Sequence, residues 1–401
     1  MDLKIESLIA YCRGLYHKED GKALYHKYLQ EIQSITPLEL VTVQFELLKM
    51  GYTPKQLLEV VDKLMNVFHK SLSTFQWQRP AQNSFLHDMM AENAGLVDYL
   101  NAFKDKIRNN SLDDILPELK AFIEDTKAYN AHLLKIENIL FPYMERKSET
   151  FNGLKIMWSL HDELRDLWKD LGGQVEAAQN NVNTKDLHVK LGKFFFVLFG
   201  LVQKQELVLF PTASLKIDEA EFQSMRQQSL EYEFAFIEPP EIIVVKSAKG
   251  GYRVSTSLPQ SNYSGLKHFF QSETGHMDFE QLNLLLDALP IDMTLVDEND
   301  KVAYFSRPKD RIFPRSIAVI GRDVRNCHPP ESVHVVEEII ASFRRGEKDE
   351  AAFWLQMKGL FIYIQYFALR SEHGQYRGTL EVSQEISKLR ALEGERRLLE
   401  W

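Results

Sequence analysis

Apolar residues recur at three- and four-residue spacing through roughly the first half of the chain, and then the period changes. Ile5, Leu8, Ile9, Cys12 and Leu15 make one face of a first helix. Thr36-Pro37, with Glu39 three residues after the threonine, opens another. Thr53 as N-cap and Pro54 in the first turn start a third, running to about Leu72. Residues 75–84 are polar, carry Pro80 and read as a linker. Four long helical segments follow, at 84–108, 113–147, 154–178 and 184–208, with Gly172-Gly173 and the Asn-rich run 180–183 between the later two. Short breaks between long periodic segments predict an antiparallel four-helix bundle.

Residues 217–276 are transitional, with a strand expected at Ile242–Lys246, a turn at Gly250-Gly251 and a loop over 255–265. From 277 a helix to Leu289 precedes two short strands, Met293–Asp297 and Val302–Phe305, across the Glu298–Lys301 turn. Irregular residues 306–330, a helix near 331–345, and strands at Ala351–Met357, Phe361–Leu369 and Tyr376–Ser383 complete an α+β domain with a five-stranded antiparallel sheet. A charged helix from about Glu385 to Trp401 closes the chain, and Leu389, Leu392, Leu398 and Leu399 offer it an apolar seam for dimerisation. The expected parts are 1–74, 84–216, 217–276, 277–392 and a helix end at 393–401.

With 401 residues, the chain is too long for one core. A formal net charge of -9 argues against bulk nucleic-acid binding. Cys12 and Cys327 are too few for a disulfide framework or a thiolate zinc site, so a reducing cytoplasm is expected. The greasiest stretch, Phe194–Val202, falls well short of the ~20 apolar residues that span a bilayer, so no transmembrane segment is expected.

Two near-identical phrases mark the bundle: Glu137-Asn-Ile-Leu-Phe-Pro142 and Glu206-Leu-Val-Leu-Phe-Pro211. Facing helices that each contribute an inward carboxylate or imidazole can bind metal. The candidates are His87, His132, Glu137, His161 and Glu206, a donor set suited to iron, manganese or zinc. His132 and Glu137 lie about 140° apart on an ideal helix, so both face inward only if the helix is distorted. The competing reading is structural: the two Leu-Phe-Pro phrases stop their helices and plug the bundle end.

Residues 84–212 resemble the hemerythrin-like cation-binding domain, through Ser84–Asn93, His132 with the Glu137 phrase, Met157–Arg165 and Lys204–Pro211. That resemblance implies a four-helix bundle with non-haem iron, zinc or manganese being the lesser expectations. The family usually carries an imidazole at the position of Ser84 or His87, and another about one turn before Glu206, where this chain is apolar. Residues 1–74 resemble a small helical domain of unknown function that precedes such bundles. Residues 277–392 resemble a PAS sensory domain, through Ala288–Asp297, Val302–Ser306, Gly321–Pro330 and Gly378–Ile386.

The PAS resemblance implies a curved sheet that encloses a small-molecule pocket or serves as a pairing surface. The candidate pocket wall is Leu295, Phe305, Ile362, Ile364, Tyr366 and Leu380, and ordinary core is the alternative. Haem, flavin or an organic acid are the ligand classes implied, with none singled out. His328 and His334 are weighed as haem ligands. Asn326-Cys327-His328-Pro329 departs at its third residue from the context of a photoreactive flavin cysteine.

No nucleophile–base pair, phosphate loop or dinucleotide fingerprint stands out, so an enzyme is not expected. The expectation is a cytoplasmic sensory or regulatory protein that couples a metal site in the bundle to a PAS ligand or dimer. Its output then passes to a regulatory protein partner or a second copy. Two rivals stand beside it: an iron-handling or redox protein, and a structural interaction protein without working sites.

Overall fold

The structure, a computed structural model, describes residues 2–178, 185–240, 269–272, 275–357 and 359–395. It divides into two compact units, 1–257 and 258–401. The strand and turn expected at 242–251, and the loop at 255–265, lie outside the described residues.

The first unit is helical. Helices α1 (Leu3–Tyr16), α2 (Gly21–Lys27), α3 (Leu29–Ser34), α4 (Pro37–Lys49) and α5 (Pro54–Thr74) precede the bundle. Thr36 and Thr53 close reciprocal capping boxes with Glu39 and Gln56, satisfying backbone donors that would otherwise be orphaned. The bundle is built from α6 (Phe85–Asn109), α7 (Leu112–Thr126) with α8 (Tyr129–Lys135) and α9 (Phe141–Lys147), α10 (Lys155–Ala178), and α11 (Lys185–Lys204) with α12 (Phe210–Ser214). Leu100, Phe122, Leu164 and Phe194, one from each leg, are fully or almost fully buried in a common core. The sequence marks 1–74 and 84–216 as separate parts. In the structure one continuous core runs through both, joining Leu8 and Phe68 to Leu86, Phe141 and Phe210.

The second bundle leg is not the single helix expected. It is interrupted at 127–128 and again by a π-helical turn, Ile136–Leu140. A second π-helical turn, Gln205–Leu209, occupies the matching place on the fourth leg. Each directly precedes a Phe-Pro pair. Proline has no N–H to give and its ring crowds the carbonyl four residues back, so a widened turn accommodates it. Phe141 and Phe210 are buried at these ends, each contributing about 2 kcal/mol of apolar burial. The helix expected to end in the fourth segment runs on, so that Leu187–Ser214 has the length and mean hydropathy of a membrane span. Leu191, Phe194, Leu198 and Leu201 on it are buried against the other legs.

A further helix, α13 (Glu219–Ser229), was not expected in the transitional region; Asp218 and Glu221 form its capping box. The irregular residues after it pass along α6, at Glu92, Gly95 and Tyr99. Phe236 sits at φ +61° with its carbonyl over Gly95. A β-carbon at position 95 would lie 2.5 Å from that oxygen, so only glycine permits the approach.

The second unit opens with a hairpin of β1 (Phe269–Ser272) and β2 (Gly275–Asp278), then α14 (Phe279–Ala288). A five-stranded antiparallel sheet follows, made of β3 (Asp292–Asp297), β4 (Val302–Phe305), β5 (Glu350–Met357), β6 (Leu360–Arg370) and β7 (Tyr376–Glu385), in the order β4-β3-β7-β6-β5. Helix α15 (Val333–Arg344) covers one face: its Ile340 packs with Val296, and its Phe343 with Ile362, Ile364 and Tyr366. After β7 the chain makes one helical turn, α16 (Ser387–Arg390), with Leu389 and Leu392 exposed. The long closing helix expected from Glu385 is therefore not formed over 391–395, and 396–401 lie outside the described residues.

Candidate functional site

The bundle interior holds two hydrogen-bonded charge networks. Helix α6 supplies Glu92 and Asn93, α8 supplies Tyr129, His132 and Lys135, and the second π turn supplies Gln205 and Glu206. His132 faces Glu92 Oε2 through Nδ1 and Gln205 Oε1 through Nε2, each at 2.9 Å. Lys135 Nζ donates to Glu92 Oε1 at 2.7 Å and to the Glu233 carbonyl at 3.1 Å. The Ala235 N–H donates to the same Glu92 oxygen at 2.7 Å, and the Phe234 ring lies 3.8 Å from the ammonium. The Tyr129 hydroxyl donates to Asn93 at 2.6 Å, and the Asn93 amide donates to Glu206 at 2.9 Å. Burial would raise the Glu92 carboxyl, but His132 and Lys135 outweigh it and hold it below its ordinary value.

The second network joins α10 to the first π turn. His161 Nδ1 lies 2.7 Å from Glu137 Oε1. Arg165 donates through one terminal nitrogen to both Glu137 oxygens, at 2.9 Å each. Its remaining nitrogens reach Asn130 and Asp162. Burial opposes ionisation of Glu137, yet Arg165 and His161 together keep its carboxyl below the usual range. Burial also lowers the His161 imidazole, with Glu137 opposing, and its Nε2 has no partner among the described residues.

Three of the five expected ligands, His132, Glu137 and His161, are buried in the bundle. The π turn does what an ideal helix does not, taking both His132 and Glu137 inside. They are divided between the two networks, however. His87 turns outward, its side chain 44% exposed and its Nδ1 3.6 Å from Asp88. Ser84, where the family often has an imidazole, is the N-cap of α6 and accepts from the His87 N–H. Glu206 is half-buried and accepts from Asn93. Among the described residues no group of three or more His, Cys, Asp or Glu side chains is placed to hold a metal ion. The expected convergence of His87, His132, Glu137, His161 and Glu206 on one cavity is thus not what the structure shows. Lys135 and Arg165 were missed in the sequence. Each lies one turn after a candidate histidine, at the i+3 and i+4 positions that share its face.

The second unit has a different polar interior. Across the sheet, Thr294 pairs with Phe305 and Glu381, and Glu381 pairs with Tyr366. The neighbouring row on the same face is Asp292, Ser383 and Ile364. This is the face that α15 covers. Leu295 and Leu380 pair with each other one residue out of step, so they lie on the opposite face. Of the six expected pocket residues, Phe305, Ile362, Ile364 and Tyr366 share the covered face, while Leu295 and Leu380 do not. The positions those leucines were expected to fill belong to Thr294 and Glu381, which are buried and polar.

Arg315 donates to Glu381 at 3.2 Å, and Arg311 donates to Asp292 at 3.3 Å. Burial raises the Asp292 carboxyl, with Arg311 and Arg315 opposing. Among the described residues the Thr294 hydroxyl and Arg315 Nε are buried without a partner. Burial lowers the His328 imidazole, which feels Glu381, Arg315 and Arg322. His334 lies on the exposed side of α15.

Residues 84–213 match the family model described as the hemerythrin HHE cation binding domain, and residues 282–387 match that of the PAS domain. The chain joins a hemerythrin-like bundle to a PAS domain. No curated protein matches it. Among solved structures, a C-terminal domain from Streptococcus mutans is 30% identical, covering 32% of this chain and 98% of that one, at a TM-score of 0.30. A PAS domain from Colwellia psychrerythraea is 18% identical, covering 27% and 97%, at 0.22. A sensory box sensor histidine kinase from Vibrio cholerae is 15% identical, covering 27% and 91%, at 0.22.

The hemerythrin-like family implies a bound cation, and the residues present do not fit one. Both oxygens of Glu137 are held by Arg165, and those of Glu92 are held by His132, Lys135 and Ala235. Among the described residues His161 Nε2 and His87 Nδ1 are buried without a partner, but no group of three or more His, Cys, Asp or Glu side chains is placed to supply the four or more ligands that zinc or iron takes.

Proposed function

We propose that this protein is a cytoplasmic sensor or regulator whose input is a small polar molecule bound on the covered face of the PAS sheet. One observation carries the reading: that face, expected to be apolar, holds Thr294 and Arg315 with unpartnered polar atoms beside two charge pairs. A buried hydroxyl or guanidinium nitrogen left without a partner costs about 1–3 kcal/mol, and a ligand carrying an acceptor group removes that cost. Output goes to a second copy or a regulatory partner. Phe279, Leu284 and Leu285 on α14 are exposed apolar residues that support a pairing surface.

The test is native mass spectrometry of the full chain for a co-purified molecule, with a thermal-shift screen of small carboxylates, amides and phosphates. The expected result is one class that raises the melting temperature in the native protein and not in Thr294→Val or Arg315→Lys. A shift that survives both substitutions would place the ligand elsewhere. If no member of the screen binds and nothing co-purifies, the PAS sheet is a pairing surface only and this reading fails.

A further inference from the structure

We infer that the hemerythrin-like bundle is closed by its own cations: Lys135 and Arg165 supply to Glu92 and Glu137 the positive charge that a bound metal would supply. A buried carboxylate needs a counter-charge and filled hydrogen-bond positions. Metal satisfies both in a carboxylate–imidazole bundle, and here protein nitrogens satisfy both. Lys135 and Glu92 are fully buried and 2.7 Å apart, out of reach of solvent screening. Arg165 donates to both oxygens of Glu137. In each pair the two partners come from different legs, so neither is a chance contact of one helix: Glu92 is on α6 and Lys135 on α8, Glu137 on the π turn and Arg165 on α10.

The Glu92–Lys135 pair has a second duty. Glu92 accepts from the Ala235 N–H, and Lys135 donates to the Glu233 carbonyl. The ion pair therefore pins the backbone that leaves α13, and the Phe234 ring closes over the ammonium at 3.8 Å. Freeing Glu92 to bind a metal would release that segment as well. The charge-balancing cation and the latch on residues 233–235 are one structure.

The experiment uses the full chain, purified without chelators or metal-affinity resin. It is incubated anaerobically with ferrous iron, and separately with manganese and zinc, then desalted and measured for metal per chain and for melting temperature. The expected result is far less than one metal per chain and no shift in melting with any of the three. One or more metals per chain, retained on desalting and lost in His132→Ala or Glu137→Gln, would overturn the inference. Lys135→Met supplies the second arm. It is expected to lower the melting temperature and raise hydrogen exchange at residues 233–235. Pairing it with Glu92→Gln is expected to recover part of the melting temperature. If Lys135→Met fails to fold, recovery of a folded chain by Glu92→Gln in the same background gives the same answer. Unchanged melting and exchange in Lys135→Met would also overturn the inference, whatever the metal content.

Discussion

Arg165 grips both carboxylate oxygens of Glu137 at 2.9 Å, on a helix that also brings His161 to 2.7 Å from the same group. The guanidinium lies one turn beyond the imidazole, so α10 alone positions both partners. Removing Arg165 takes the guanidinium away from a buried carboxylate and leaves it beside His161. Arg165→Met is expected to cost about 3 kcal/mol, and the double change with Glu137→Gln less than the sum of the singles. Urea unfolding of the four proteins measures the coupling; additive losses would mean the two residues do not interact.

Gly95→Ala tests the return of the chain after α13. Its new methyl would lie 2.5 Å from the Phe236 carbonyl oxygen, a backbone atom that cannot turn aside. A loss of about 2 kcal/mol is expected, with faster proteolysis near residues 233–238. Unchanged protease resistance would show that this segment does not depend on the close approach.

The pH dependence of Glu137 has a definite sign. Its carboxyl is held below the ordinary 4.5 in the fold. Its stabilisation is therefore complete above about 4.5 and is lost as pH falls through the lowered folded value. The difference in unfolding free energy between the native protein and Glu137→Gln, followed from about pH 8 to pH 3, should be flat and then shrink. A difference that grows on acidification contradicts the charge-paired carboxylate.

Thr294→Val separates ligand binding from folding. The hydroxyl is buried without a partner, so its replacement is expected to raise stability by up to about 1 kcal/mol in the absence of ligand. A loss of stability in the ligand-free protein would mean that the hydroxyl is satisfied within the fold.

The two thiols should differ in reactivity. Cys12 is 1% exposed and burial pushes its thiol up to about 12, whereas Cys327 is half-buried. A chromogenic disulfide reagent is expected to modify Cys327 in the native protein and Cys12 only after denaturant is added. Rapid native labelling of Cys12, identified by peptide mapping, would show that α1 opens readily from the core.

The element pattern was legible because helix and strand periods are local. The Thr53-Pro54 start, the four bundle legs and the five strands all follow from spacing and turn residues in their own windows. The doubled Leu-Phe-Pro phrase marked equivalent places on two legs, and both carry a π turn. Missed elements such as α13 have little apolar periodicity to read; of its eleven residues only Phe222, Met225, Gln228 and Ser229 are buried.

By itself the sequence determined which residues share a helix face and which strands alternate, since a side chain's direction is tied to backbone geometry. Only the tertiary structure decided what each face meets. Hydropathy chose Leu295 and Leu380 for the interior, whereas the register of β3 and β7 puts those two on one face and Thr294 with Glu381 on the other. The sheet buried the polar set, because Arg315 arrives from a distant segment to pair with Glu381. In the same way His132, Glu137 and His161 are residue types that ligate metal, but Lys135 reaches the Glu92 carboxylate beside His132 and Arg165 reaches that of Glu137. A buried charge is tolerable or not according to its partner. That partner comes from another leg of the fold, which local spacing does not reveal.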